Sequence, residues 1–203
     1  MMDQELEEKI KSEVPQDDSA SIEEKMILHN AILELKPKVV VETGTHKGLA
    51  TLYMLEAIRQ NGEGHMWTAD PFEWGAVGNF RKFPELEKLV TYEQVPGKDV
   101  SVTGIDFMFV DGFHEKAEVL AEIDALLPKL NPGAHVYFHD TNGSDISCDV
   151  PGALEERGLK VEYLKTLNGM AHYVHQAVSD KSVNKTKRTR SNVQDAPSAD
   201  ATA

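Results

Sequence analysis

Val39-Val40-Val41-Glu42-Thr43-Gly44-Thr45-His46-Lys47-Gly48 is the stretch on which the fold turns. Three β-branched residues in a row, with no polar alternation, read as a strand buried on both faces, the habit of a parallel sheet. Helical spacing follows at Leu49, Leu52, Tyr53, Leu55, Ala57 and Ile58 and stops at Asn61-Gly62. The order is strand, glycine turn, helix. His65 to Ala69 reads as the next strand, with Asp70-Pro71 at its carboxyl end.

The same alternation extends in both directions. Upstream, Ser21-Ile22-Glu23-Glu24 has the spacing of a capping box, which predicts a helix from about Ile22 to Glu34 that ends before Pro37. Downstream, a helix is expected from Asn79 to Leu89 across Pro84, and a third strand from Val90 to Val95. Ile105 to Val110 is the fourth strand, and an apolar stripe predicts a helix over 115–127. The Asn131-Pro132-Gly133 turn precedes a fifth strand, Ala134 to Phe138, and a short helix is expected at Ala153 to Arg157. Val161 to Leu164 and Met170 to His175 read as closing strands around the hairpin signal Asn168-Gly169. Strands alternating with helices imply right-handed βαβ units, hence a Rossmann-like, doubly wound α/β fold. Residues 1–20, acidic and polar, are expected to be a flexible segment, 21–178 the folded domain, and 179–203 a disordered tail.

Composition bounds the function. At 203 residues, 40% hydrophobic and 27% charged, the chain fits one ordinary globular core. A formal net charge of -13 repels a phosphate backbone, so nucleic-acid binding is disfavoured. The basic cluster Lys185, Lys187, Arg188 and Arg190 lies in the expected tail and reads as solvated. No apolar run approaches the ~20 residues that span a bilayer, and no signal-peptide pattern opens the chain. The single cysteine, Cys148, cannot pair internally, and a cytoplasmic setting is expected.

In such folds ligands bind beyond the carboxyl ends of the strands. Glu42, Asp70, Asp111, His114, His139 and Asp140 all fall at those ends. Gly44 and Gly48 are four apart, unlike the Gly-x-Gly-x-x-Gly of a pyrophosphate loop, so a nicotinamide-type oxidoreductase is disfavoured. The turn better suits a ligand with a sulfonium and an amino-acid end, which Glu42 would face. Asp70 is placed to accept hydrogen bonds from ribose hydroxyls, or else caps the turn before Pro71. Asp111 and Asp140 suit a hard divalent cation, and His114 a general base; turn formation for Asp111 and a satisfied buried histidine for His139 are the alternatives. His135 and His139, four apart on a strand, stand ~13 Å from one another and are rejected as a chelating pair.

These motifs, from Val39 to Gly48, Asp70, Asp106 to His114 and Phe138 to Thr141, resemble the small class I methyltransferases related to macrolide sugar O-methyltransferases, and more distantly catechol O-methyltransferase. The resemblance covers about residues 20 to 175. It implies a mostly parallel seven-stranded sheet with an antiparallel closing strand, and S-adenosylmethionine as cofactor, bound by Glu42, Gly44, Thr45, Gly48, Asp70 and Asp111. It also implies a Mg²⁺-type ion at Asp111 and Asp140, and His114 as base. Thr141 stands where the catechol-type pattern has Asn, with Asn142 one place later, which leaves the third metal ligand open. The long amino-terminal extension of the sugar enzymes is missing. Methyl transfer to a hydroxyl of a sugar-like or other small acceptor is the expected reaction; a non-catalytic binding or assembly protein on the same fold is the alternative.

Overall fold

The computed structural model describes residues 2–16, 20–143 and 148–176. Helices are α1 (Gln4–Glu13), α2 (Ile22–Leu35), α3 (Leu49–Asn61), α4 (Ala76–Phe80), α5 (Pro84–Glu87), α6 (Lys116–Leu126) and α7 (Val150–Glu156). Strands are β1 (Val39–Thr43), β2 (His65–Ala69), β3 (Val90–Glu93), β4 (Ile105–Val110), β5 (Leu130–His139), β6 (Glu162–Leu164) and β7 (Met170–Val174). The sheet has the order β3-β2-β1-β4-β5-β7-β6. β1 to β5 run parallel, β7 is antiparallel to β5, and β6 is antiparallel to β7. The strand order reverses between β1 and β4, so a cleft opens there at the carboxyl ends.

Two apolar layers cover the sheet. Residues from α1 to α5 pack with Val40, Phe107, Phe109 and Tyr137 on one face. Residues from α6 and α7 pack with Val41, Met108, Val110 and Phe138 on the other. Adjacent strand residues part to opposite layers, as the pleat requires. The predicted capping box at Ser21 forms in full, with Glu24 N donating to Ser21 Oγ and Ser21 N to Glu24.

Three expectations need correction. The amino-terminal segment, read as flexible, is helical over Gln4–Glu13: Met2, Ile10 and Val14 are buried in the α2–α3 layer, and Tyr53 Oη donates to Glu7. Its charged residues hide an apolar row four residues apart, which lies on one helical face. The helix expected over Asn79 to Leu89 is two short ones, because Pro84 lacks the N–H to continue a helix and instead starts α5. β5 begins at Leu130 rather than Ala134, running through the Asn131-Pro132-Gly133 turn signal with a register shift opposite Ile105–Phe107. The expected tail from 179, with its basic run, lies outside the described residues. Among those residues no helix is long and apolar enough to cross a membrane.

Candidate active site

A cavity of about 540 Å³ sits over the carboxyl ends of β1, β2, β4 and β5. Its walls include Gly44, Asp70, Glu122, Asp111, His139 and Asp140, and its rim carries His46, Phe72, Trp74, Phe113 and His114.

Gly44 follows β1 at φ 85°, and a Cβ there would lie 1.9 Å from the carbonyl oxygen of Asp111. Only glycine therefore lets the first turn close against the end of β4. Gly48 caps α3 at φ 81°, where a Cβ would meet the Phe80 ring at 2.4 Å; it shapes the turn from behind and does not line the cavity.

Asp70 is buried at the cavity wall. Its two carboxylate oxygens accept from His46 N and Phe72 N, both at 2.9 Å, so it ties the β1–α3 turn to the chain after β2. An ionised carboxylate has about four acceptor positions, so two remain for a ligand. The turn-cap role and a ribose-binding role are thus compatible.

Glu42 and Thr45 sit elsewhere. Glu42 is 1% exposed, its Oε2 accepts from Thr51 Oγ1 at 2.6 Å and Thr68 Oγ1 at 2.5 Å, and it is absent from the cavity lining. Burial pushes its carboxyl up to about 8, although both hydroxyls pull the other way. Thr45 shares a 2.6 Å hydrogen bond with Thr68 and supports the turn from below. Neither lines the cavity, where the sequence reading expects a direct ligand contact from both. Glu122 of α6, unnoticed in the sequence, does line the cavity; it accepts from Thr43 Oγ1, and burial pushes its carboxyl up to about 7.

The reaction side gathers at the adjacent ends of β4 and β5. Asp111, His139 and Asp140 each offer an atom within 4.8 Å of the others, a spacing that could hold a metal ion. His139 Nδ1 stands 2.8 Å from Asp111 Oδ1 and 3.3 Å from Asp140 Oδ2, and its Nε2 lies 3.1 Å from Glu24 Oε2. Although burial opposes it, the charge of Asp111 raises His139 well above the ordinary imidazole range. His114 Nδ1 is 3.1 Å from Asp140 Oδ2, and its Nε2 is 4.0 Å from Asp111 Oδ1, with the ring open to the cavity mouth. Asp140 adopts φ 56°, a left-handed conformation that Asp tolerates better than most residues and that recurs at functional sites.

Thr141, directly after Asp140, donates its backbone N to Gly169 O at 3.2 Å and ties β5 to the β6–β7 turn. Among the described histidines and carboxylates, His139 is the third member of the group with metal-like spacing. The sequence signal for it was position: on β5, Tyr137 and His139 share a face, so His139 turns toward α2.

Residues 41–141 match the model of a family described as "Methyltransferase domain". The fold is that of solved methyltransferases. An S-adenosylhomocysteine-bound Podospora anserina methyltransferase, PaMTH1, superposes with a TM-score of 0.66 at 16% identity, over 85% of this chain and 86% of that one. An O-methyltransferase from Bacillus cereus in complex with SAH gives 0.63 at 17%, over 84% and 88%. The tomaymycin O-methyltransferase TomG of Streptomyces achromogenes, in complex with SAM, gives 0.61 at 16%, over 87% and 100%. Among curated sequences, an uncharacterized protein of Sinorhizobium fredii, y4gI, is 26% identical over 122 residues, 53% of this chain. The match spans 13% of that relative's length. The fold is that of the class I S-adenosylmethionine-dependent methyltransferases, and the stretch 41–141, which carries the Gly44 turn, Asp70, Asp111, His114, His139 and Asp140, matches the methyltransferase-domain family.

Proposed function

We propose that this protein transfers a methyl group from S-adenosylmethionine to a hydroxyl of a small, sugar-like or other acceptor, in the cytoplasm and with a divalent cation in the site. The observation that carries this reading is convergence: the Gly44–Asp70 wall and the Asp111–His139–Asp140–His114 cluster face one cavity. The residues fit the cofactor, since the turn at Gly44 has no room for a side chain and Asp70 keeps free acceptor positions beside it. They fit a cation too, since two carboxylates converge on a buried histidine neither of whose ring nitrogens makes a hydrogen bond. When bound, S-adenosylmethionine supplies an electrophilic methyl on a sulfonium leaving group, and the cation supplies charge that lowers the acceptor hydroxyl's pKa.

The protein's share is positioning and proton handling. Asp70 would orient the ribose. Asp111 and Asp140 would hold the cation, and His114, 3.1 Å from Asp140 Oδ2 and 4.0 Å from Asp111 Oδ1, would take the acceptor's proton. The catalytic unit is residues 21–178, with α1 packed onto it.

Methyl transfer from labelled S-adenosylmethionine to a panel of hydroxylated acceptors tests this. Activity should fall on chelation and return with a divalent cation. His114→Ala should lower turnover by about 10²–10⁴-fold while leaving S-adenosylhomocysteine affinity nearly intact. Full turnover after exhaustive chelation would remove the cation, and full turnover in His114→Ala would remove the base. Cofactor binding with no transfer to any acceptor would favour a binding protein.

A further inference from the structure

Glu122 is a cavity-wall carboxylate that the proposed reaction leaves without a task. It reaches in from α6, is 2% exposed, and its Oε2 accepts from Thr43 Oγ1 at 3.0 Å. Its Oε1 has no hydrogen-bond partner among the described residues. Two glycines keep that oxygen uncovered: a Cβ on Gly97, in the turn after β3, or on Gly112, after β4, would come closer than 3.0 Å to it. Neither glycine has a positive φ, so it is space that requires them. Lys98, beside Gly97, is paired with Glu118 at 3.2 Å. A buried acceptor that opens on a cavity is costly unless a ligand donates to it.

The S-adenosylmethionine of the proposed function carries three kinds of donor: the ribose hydroxyls, the ammonium of its amino-acid end and the exocyclic amine of its base. The hydroxyls are assigned to Asp70. The sulfur has to face the Asp111–Asp140–His114 cluster, on the β4 and β5 side of the cavity. The ammonium lies beyond the sulfur. The base leaves the ribose on the side opposite the sulfur, toward β2 and β3, and the turn that carries Gly97 enters the cavity from there. Of the three donors, the exocyclic amine is the one on the side of Gly97 and Glu122.

Resting on that cofactor, we propose that Glu122 Oε1 accepts a hydrogen bond from the adenine amine and so makes the site selective for a 6-aminopurine. A base with a carbonyl at that position would set its oxygen against the carboxylate, which is repulsive where water is scarce. One with hydrogen there would leave Oε1 without a partner.

Calorimetry on the full-length protein at about pH 8 tests this, since the carboxyl, pushed up to about 7 by burial, is then mostly ionised. The probes are S-adenosylhomocysteine and its analogue with hydrogen in place of the 6-amino group. Wild type should bind the first at least about tenfold tighter, the worth of one hydrogen bond to a charged group. In Glu122→Leu, close in size and unable to accept, the preference should vanish, with the ligand-free melting temperature reporting separately on the fold. Equal binding of the two probes by wild type would overturn the inference, whatever the variant does, and leave the cofactor reading standing. An undiminished preference in a folded Glu122→Leu would overturn it too, placing the selection on another group. Absence of S-adenosylhomocysteine binding to wild type would overturn it together with the cofactor reading.

Discussion

Glu42 ends β1 at the position from which a carboxylate could meet a sulfonium, yet it is spent on Thr51 and Thr68. Strand parity accounts for this. Val40 packs in the α2–α3 layer and Val41 in the α6–α7 layer, so Glu42, two after Val40, belongs with α3. The sequence placed Glu42 at the mouth of the cleft; the direction of its side chain needed knowledge of which helices cover which face. Its titration follows. With the folded carboxyl near 8, and an ordinary carboxyl in the unfolded chain, the unfolded state ionises first as pH rises. The stability of the metal- and cofactor-free protein should therefore fall between about pH 4.5 and pH 8 through this group. Glu42→Gln, which has nothing to ionise, should match wild type near pH 5 and melt at higher temperature than wild type by pH 8. Parallel melting curves across that range would show that Glu42 is ionised in the fold. Asp70 was legible both as a turn cap and as a ribose acceptor, and the geometry accommodates the two together.

At the scale of elements, β1, α3, β2 and β4 were legible because a glycine turn or an uninterrupted apolar run marks each one. α1 was not. Six of its ten residues are Glu or Lys, and its apolar row Met2, Leu6, Ile10 and Val14 is too sparse to stand out without the surface it covers. That surface is α3, which is buried on every side from Leu49 to Ile58 and so needs a cover on its outer face. Lys9 Nζ lies 5.0 Å from the Phe83 ring centroid, and Lys82 Nζ donates to Glu13 O, which ties the carboxyl-terminal half of α1 to the Lys82–Phe83 turn. Ile10 is fully buried in this contact. Ile10→Ala should cost about 2–5 kcal/mol in urea unfolding, the usual cost of emptying a core position. A change within a few tenths of a kcal/mol would mean that α1 is detached in solution.

Across the whole molecule, the topology does what the alternation of strands and helices implies: it brings the loops that carry Gly44, Asp70, Asp111 and Asp140, far apart in sequence, to one rim. β4 and β5 are neighbours in the sheet, which brings Asp111 and Asp140 together. What sequence could not supply was the cross-element chemistry. Glu24 reads locally as a capping residue, and only the fold sets it against His139 and the β6–β7 turn. Thr141, whose place as third ligand the sequence left open, follows the left-handed turn at Asp140, and its backbone N goes to Gly169 O. Every further step depends on a cofactor seated between Gly44 and Asp70. Calorimetry with S-adenosylhomocysteine on wild type and Asp70→Ala tests that seat most directly. Wild type should bind, and the variant should bind at least about tenfold more weakly, since a hydrogen bond to a charged group is worth about 1.5–3 kcal/mol. Equal affinity in the two proteins would contradict the ribose role of Asp70, and absence of binding to wild type would contradict the methyltransferase reading itself.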